Sequence, residues 1–352
     1  MKKITLLSVL LIALTAEIIS QSCLPEGITF SNQSMIDDFQ NNYPDCEIIE
    51  GKVKIKGDDI SNIDGLSSIK GINGYLTIKS NPNLLNLSGL SNLTYIGGDL
   101  YIEENPQLIN FIGLDSLSSI GGYLNILFNE NLINFTGINN LTSMEEDIII
   151  TANNSLTDLS GLENLTSNVT YLVLDSNPVL TDVGAVQNIS SISDMIAIVD
   201  NNSLVSLSGL ENISLDALQS LMIKRNSLLS ECAIQNICNY LSDSIGTVNI
   251  SENAVGCNNQ EEVNTLCYDG IPESVNHNMV TVYPNPARDF LFIDAQGSHI
   301  EEAIIYNEFG QILDIQFNSS NSINISNLLS GIYIIELKLN GLITRQVFIV
   351  AK

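Results

Sequence analysis

From Tyr75 onward the chain repeats one arrangement of apolar and polar positions every 24 residues. Six copies follow without a gap, starting at Tyr75, Asp99, Tyr123, Asp147, Tyr171 and Met195. In the second copy Leu100 and Ile102 occupy positions two and four and Asn105 position seven. Leu108, Phe111, Leu114, Leu117 and Ile120 follow, and Gly121-Gly122 closes the unit. A seventh copy begins near Ser220, and a degenerate one with Val53, Ile55, Ile60, Ile63, Leu66, Ile69 and Ile72 precedes Tyr75. Self-similarity at one period predicts a solenoid, in which each coil buries its apolar face only against its neighbours. Strict alternation at positions two and four, from Leu76/Ile78 to Ile196/Ile198, predicts one short strand per coil with those residues inward. Successive strands then pair in parallel at a constant offset.

Two further columns follow from the register. Position seven is asparagine in every copy: Asn81, Asn105, Asn129, Asn153, Asn177, Asn201 and Asn226. An amide at the turn leaving a strand can bond backbone groups of its own and the next coil that would otherwise be buried unpaired. Glycine recurs near position 15 (Gly89, Gly113, Gly137, Gly161, Gly209), where a tight corner with positive φ is expected; the fifth copy has Gly184 one place early.

The flanks read differently. Residues 27–39, with Phe30, Met35, Ile36 and Phe39 as an apolar stripe, predict a short helix that Pro44 stops. Residues 232–241 predict a second short helix, and Val248-Asn249-Ile250 a strand. From Tyr268 to Met279 the sequence loses periodicity and reads as a linker. Beyond it, seven short alternating segments predict a small antiparallel, immunoglobulin-like β-sandwich: the opening one from Val280, then 290–293, 303–307, 312–317, 322–325, 332–339 and 343–350. Asn340-Gly341 is a favourable hairpin dipeptide. The fold class is mainly β: a parallel solenoid with disulfide caps, then the sandwich.

Lys2-Lys3, the apolar run 4–16 and the small residues Ser20 and Ser22 read as a secretory signal. Cleavage is expected before Gln21, with a cut before Cys23 as the alternative. The run is too short to span a bilayer, and no later stretch is a membrane helix candidate. All six cysteines follow the signal, so disulfides are expected in an oxidising compartment. They cluster at the ends of the array. Cys23–Cys46 is expected to staple the N-terminal cap, while Cys232, Cys238, Cys257 and Cys267 form two bridges whose pairing the spacing leaves open. Their spacing does not match paired zinc knuckles. The expected layout is a signal over 1–20, caps over 21–50 and 231–267, the solenoid over 51–230, a linker over 268–279 and a terminal module over 280–352.

The chain carries 13 Lys+Arg against 40 Asp+Glu, and between Lys79 and Lys224 there is no Lys or Arg but 16 Asp or Glu. Such a surface repels nucleic acid and anionic lipid headgroups. Acidity gives a secreted protein solubility. Calcium at Glu145-Glu146-Asp147 or Asp58-Asp59 is the competing reading, although no EF-hand or GGxGxD signature is present. No other cofactor is indicated.

The run Ile96-Gly97-Gly98-Asp99-Leu100-Tyr101-Ile102-Glu103-Glu104-Asn105-Pro106-Gln107-Leu108 resembles the receptor L-domain branch of the leucine-rich-repeat superfamily. That resemblance covers roughly 47–230 and implies a scaffold that binds a ligand or partner. Copies four to six replace the glycine pair with Glu145-Glu146, Val169-Thr170 and Ser193-Asp194. The terminal module resembles the type A sorting domain of the type IX secretion system of Bacteroidota. The resemblance rests on Tyr283-Pro284-Asn285-Pro286, Tyr306 with Gly310, Leu328-Leu329 before Gly331-Ile332-Tyr333, and a last strand ending at Lys352. It implies handling of residues 280–352 by that secretion machinery, their removal, and release or attachment at the cell surface.

No enzyme is expected. The only histidines are His277 and His299, outside the array, and neither GxSxG nor HExxH occurs. Outward strand positions one, three and five form columns on one sheet face, containing Tyr75, Tyr101, Tyr123, Leu127, Ile149, Tyr171, Val173 and Val199. Exposed aromatics on a rigid sheet suit a protein or glycan ligand, although the same residues also stabilise sheets by cross-strand packing. The alternatives are a structural coat or spacer without a ligand, and a glycosidase built on paired carboxylates such as Glu103-Glu104.

Overall fold

The computed structural model describes residues 22–243, 246–269, 281–295, 300–307, 311–313, 317–318, 322–339 and 342–352. The signal over 1–20, most of the linker, both histidines, Gly310 and the Asn340-Gly341 hairpin lie outside the described residues. The chain divides into two compact units, 1–269 and 270–352.

In the first unit every coil contributes one strand to a ten-stranded parallel sheet. Its strands are Ile28–Phe30, Val53–Ile55, Leu76–Lys79, Leu100–Glu103, Leu124–Leu127, Ile148–Thr151, Asn168–Asp175, Ser191–Val199, Ser220–Lys224 and Thr247–Ser251. Register is constant: Leu76 pairs with Leu100, Leu100 with Leu124, Leu124 with Ile148, Ile148 with Leu172, and Leu172 with Ile196. A second parallel sheet of six two-residue strands, from Ser22–Cys23 to Ser143–Met144, runs alongside. Where Val169-Thr170 and Ser193-Asp194 replace the glycine pair, Asn168–Asp175 and Ser191–Val199 run as single strands of 8 and 9 residues. The Glu145-Glu146 coil keeps the break, with Ser143–Met144 and Ile148–Thr151 separate.

Inward positions merge into one core reaching from Phe30 to Val263, with Leu100, Ile102, Phe111, Leu124 and Leu172 wholly buried. Phe111 stacks on Phe135 with ring centroids 5.3 Å apart. Each such side chain stabilises the stack by about 1.5–3 kcal/mol.

The asparagine column forms a continuous ladder. Asn129 Oδ1 accepts from Asn105 N at 3.1 Å, while its Nδ2 donates to Ile102 O at 2.8 Å and Leu127 O at 3.0 Å. The pattern repeats from Asn81, which caps Gly57 N, to Asn226. It extends one coil further than the repeat count, to Asn253. The residue before each asparagine is left-handed, with φ between 54° at Ser80 and 60° at Glu252, although none of these is glycine. That turn aims the amide inward and costs about 1–2 kcal/mol per coil. The ladder bonds offset it.

Position 15 needs a correction. Only Gly113, Gly137 and Gly161 have positive φ. Gly89 and Gly209 lie in the 3-10 turns Ser88–Leu90 and Ser208–Leu210. What all five share is closeness to the preceding coil, since a Cβ at Gly89 would run into the Ile63 carbonyl and one at Gly137 into the Phe111 carbonyl.

The ends also differ from expectation. Ile28–Phe30 is a strand of the long sheet and only Gln33–Asp37 and Phe39–Asn42 are helical, with Asn32 Oδ1 capping Met35 N. The Ile28-Thr29-Phe30 alternation already had strand period, and a coil to pair with decided it. Met35 is 36% exposed and not part of the stripe. At the other end Thr247–Ser251 is the tenth strand, so both caps are coils of the array. The bridges are Cys23–Cys46, Cys232–Cys257 and Cys238–Cys267. Cys267 lies on the helix Gln260–Asp269, so Tyr268 and Asp269 end a helix rather than open the linker.

The second unit holds two four-stranded antiparallel sheets among the described residues. One contains Thr281–Tyr283, Phe290–Asp294, Ser322–Asn324 and Phe317–Asn318, the other Ile312–Leu313, Ile300–Asn307, Gly331–Leu339 and Leu342–Val350. The segment expected as one strand over 312–317 is therefore divided between the sheets. Their own core runs from Ala287 to Val350.

Candidate ligand-binding face

The constant register stacks outward side chains into rows about 4.8 Å apart. Position one reads Tyr75, Asp99, Tyr123, Asp147, Tyr171, and position three reads Thr77, Tyr101, Asn125, Ile149, Val173. Tyr75 is 37% exposed. Tyr101, Tyr123, Leu127, Ile149, Tyr171 and Val173 are half-buried on the same face. Val199 is buried and drops out of the row: it is short, and Asp175 and Lys224 flank it in register.

The tyrosines are tied to carboxylates. Tyr101 Oη donates to Asp99 Oδ2 and Tyr171 Oη to Asp194 Oδ2, both at 2.9 Å, while Tyr123 bonds Glu146. Asp99 Oδ1 accepts from Tyr123 N at 3.0 Å and Asp147 Oδ1 from Tyr171 N at 3.1 Å. Gly122 leaves room for Asp99, whose Oδ1 would collide with any Cβ there. Tyr75 and Tyr101 meet edge to face at 6.5 Å.

Electrostatics follow this geometry. Burial, then the Asp99 bond, pushes the Tyr101 hydroxyl up to about 12. Bonds to Glu146 and Asp194 raise Tyr123 and Tyr171. Burial raises the Asp147 carboxyl, the Tyr171 N–H pulls it down, and Glu146 and Asp194 push it up again. Asn125 Oδ1 is buried at the centre of the face without a hydrogen-bond partner among the described residues.

Sequence reading located the tyrosines but missed Asp99 and Asp194 as their partners. The alternation of Tyr and Asp at successive copy starts was the available signal for Asp99, whereas Asp194 falls one place before its copy start. Glu103 and Glu104 are engaged, the first ion-paired with Lys79 at 2.5 Å and the second accepting from Ser80 Oγ at 2.6 Å. Among the described residues no group of three or more metal-ligating side chains occurs.

In the second unit the Asn285 side chain accepts from Ile349 N at 2.8 Å and donates to Val347 O at 3.3 Å, pinning the Tyr283-Pro284-Asn285-Pro286 segment to the last strand. Tyr283 stacks on Phe292 at 5.8 Å and Tyr333 on Phe348 at 5.7 Å. Tyr333 Oη donates to Leu329 O at 3.0 Å, and a Cβ on Gly331 would meet nothing nearer than 3.6 Å.

Fold and face together define a repeat scaffold joined to a separate β module. Comparison with family models makes both parts specific. Residues 45–134 match the Receptor L domain, and residues 281–351 match the Secretion system C-terminal sorting domain. The chain thus carries a receptor L domain and a type IX sorting domain. Parallel strand pairing continues beyond residue 134, through the coils that lack the glycine pair, with one register shift between Val169 and Tyr171. No curated protein matches the chain. The sorting domain indicates secretion and attachment to the cell surface. Among the described residues no helix is long and apolar enough to cross a membrane.

Proposed function

We propose that the chain is a non-enzymatic binding or adhesion protein of the cell surface, whose solenoid sheet face takes a protein or glycan ligand. On this reading the signal over 1–20 directs export and residues 280–352 engage the type IX machinery. The carrying observation is the face itself, on which Tyr75, Tyr101, Tyr123 and Tyr171 stand at fixed heights on rigid, in-register strands. Such rings present large contact area at low entropic cost. Replacing Tyr101, Tyr123 and Tyr171 together by Ser is expected to abolish binding of a ligand found by glycan array or pull-down. Unchanged affinity removes the face from consideration. Neither metal nor cofactor enters this reading, so EDTA is expected to leave binding unaltered; loss of binding would revive calcium.

The coat or spacer reading has one observation in its favour. Position 11 forms an exposed aliphatic ridge, with Leu85, Ile109 and Ile133 at 59%, 49% and 43% exposure. Self-association that Ile109→Ser with Ile133→Ser removes, together with blank ligand screens, would favour it.

A further inference from the structure

We propose, resting on the sheet-face reading above, that the ligand is a basic polypeptide segment whose lysine and arginine side chains lie among the tyrosines and carboxylates of copies two to five. Charge complementarity is the first reason. The ion pairs at the borders of this region are Lys79 with Glu103 and Arg225 with Asp200. Between Lys79 and Lys224 the sequence contains no Lys or Arg. Asp99, Glu146, Asp147 and Asp194 therefore share the face with no intramolecular cation among the described residues.

Hydrogen-bonding capacity is the second. The hydroxyls of Tyr101, Tyr123 and Tyr171 already donate hydrogen bonds to Asp99, Glu146 and Asp194, so toward a ligand they present lone pairs. Apart from Asn125 Nδ2, the Tyr75 hydroxyl and the flanking Thr77 and Thr151 hydroxyls, the polar side chains of these rows in copies two to five offer acceptors. A sugar hydroxyl needs both a donor and an acceptor to replace its water. Ammonium and guanidinium groups are donors only, and they match. Third, aromatic rings beside carboxylates attract cations through their π faces, and the Ile149–Val173 row lies beside them to receive the aliphatic stems. A bare divalent ion fits less well, because it wants six or more oxygens in one cage.

The test uses the full chain with fluorescent decalysine and decaarginine as probes. Two charge-matched triple variants are compared. E146Q/D147N/D194N removes three of the four face carboxylates while keeping its rings, and E130Q/E211Q/D115N neutralises exposed positions elsewhere, with unfolding curves checked for both. The expected result is that wild type binds at low ionic strength and weakens steeply as salt rises. The face variant should lose about tenfold or more in affinity and the remote variant less than about twofold. Equal losses in the two variants, or no binding of either probe at low salt, overturn the inference. If it is overturned while Y101S/Y123S/Y171S still abolishes binding of a neutral glycan, the sheet-face reading survives and only the basic ligand is wrong. If those tyrosine changes also leave every ligand's affinity intact, both fall.

Discussion

The two units use the same side chain for the same task with different consequences. Asn129 and Asn285 each bond backbone groups of a strand distant in sequence. In the array the amide is wholly buried and repeated in each coil, so each one completes the bonding of its neighbours. In the sandwich it is exposed and its two bonds compete with water. The array is a chain of interdependent layers in which a local fault removes bonds from the neighbouring coil as well as its own. Faults in the sandwich stay where they are made.

That contrast can be broken in four ways. The largest effect is expected for Asn129→Ala, which leaves Asn105 N without its acceptor and takes one bond each from Ile102 O and from Leu127 O, the latter keeping Glu104 N, and should cost about 3–5 kcal/mol. Asn285→Ala should cost about 1 kcal/mol or less. Denaturant unfolding of the full chain measures both, and similar losses would erase the distinction. Next, Gly137→Ala should cost about 2–4 kcal/mol, because φ is 116° there and the Phe111 carbonyl occupies the space. Gly331→Ala should stay within about 0.5 kcal/mol, since a Cβ there meets only ordinary contacts. Third, replacing Cys238 and Cys267 together by Ser should cost about 2–3 kcal/mol and raise amide exchange in Thr247–Ser251 first, while strands near Leu100 keep their protection.

The smallest effect concerns pH. The raised Asp147 carboxyl means the folded chain prefers it protonated. Its contribution to stability is complete below the ordinary value of 3.8 and is lost as pH rises through the higher folded value. Asp147→Asn, which retains an acceptor for Tyr171 N, should therefore be slightly more stable than wild type at neutral pH, and the gap should close in acid. A gap that widens in acid would reverse the sign of the argument.

Much of the array was legible because each constraint is stated many times over. Leu100, Leu124 and Leu172 declare one inward position, and seven asparagines declare one turn. Legibility failed where the constraint was single or long-range. Asn253 escaped because its coil spaces it 27 residues from Asn226 rather than 24. The left-handed position six escaped because no glycine marks it. The pairing of Tyr171 with Asp194 depends on a hydroxyl reaching into the next coil, which hydropathy does not record. Four cysteines in one cap allowed three pairings, and only the packing of the helices Gln235–Asp243 and Gln260–Asp269 selects one.

In-register stacking underlies face, ladder and ligand proposal alike, and spin-label distances along position three test it most directly. Labels at Thr77 paired in turn with Val173, Ala197 and Met222 should give distances that grow by about 4.8 Å per coil, from about 19 to about 29 Å. Distances that fail to lengthen in even steps would mean that these positions do not share one row, and the face would not exist.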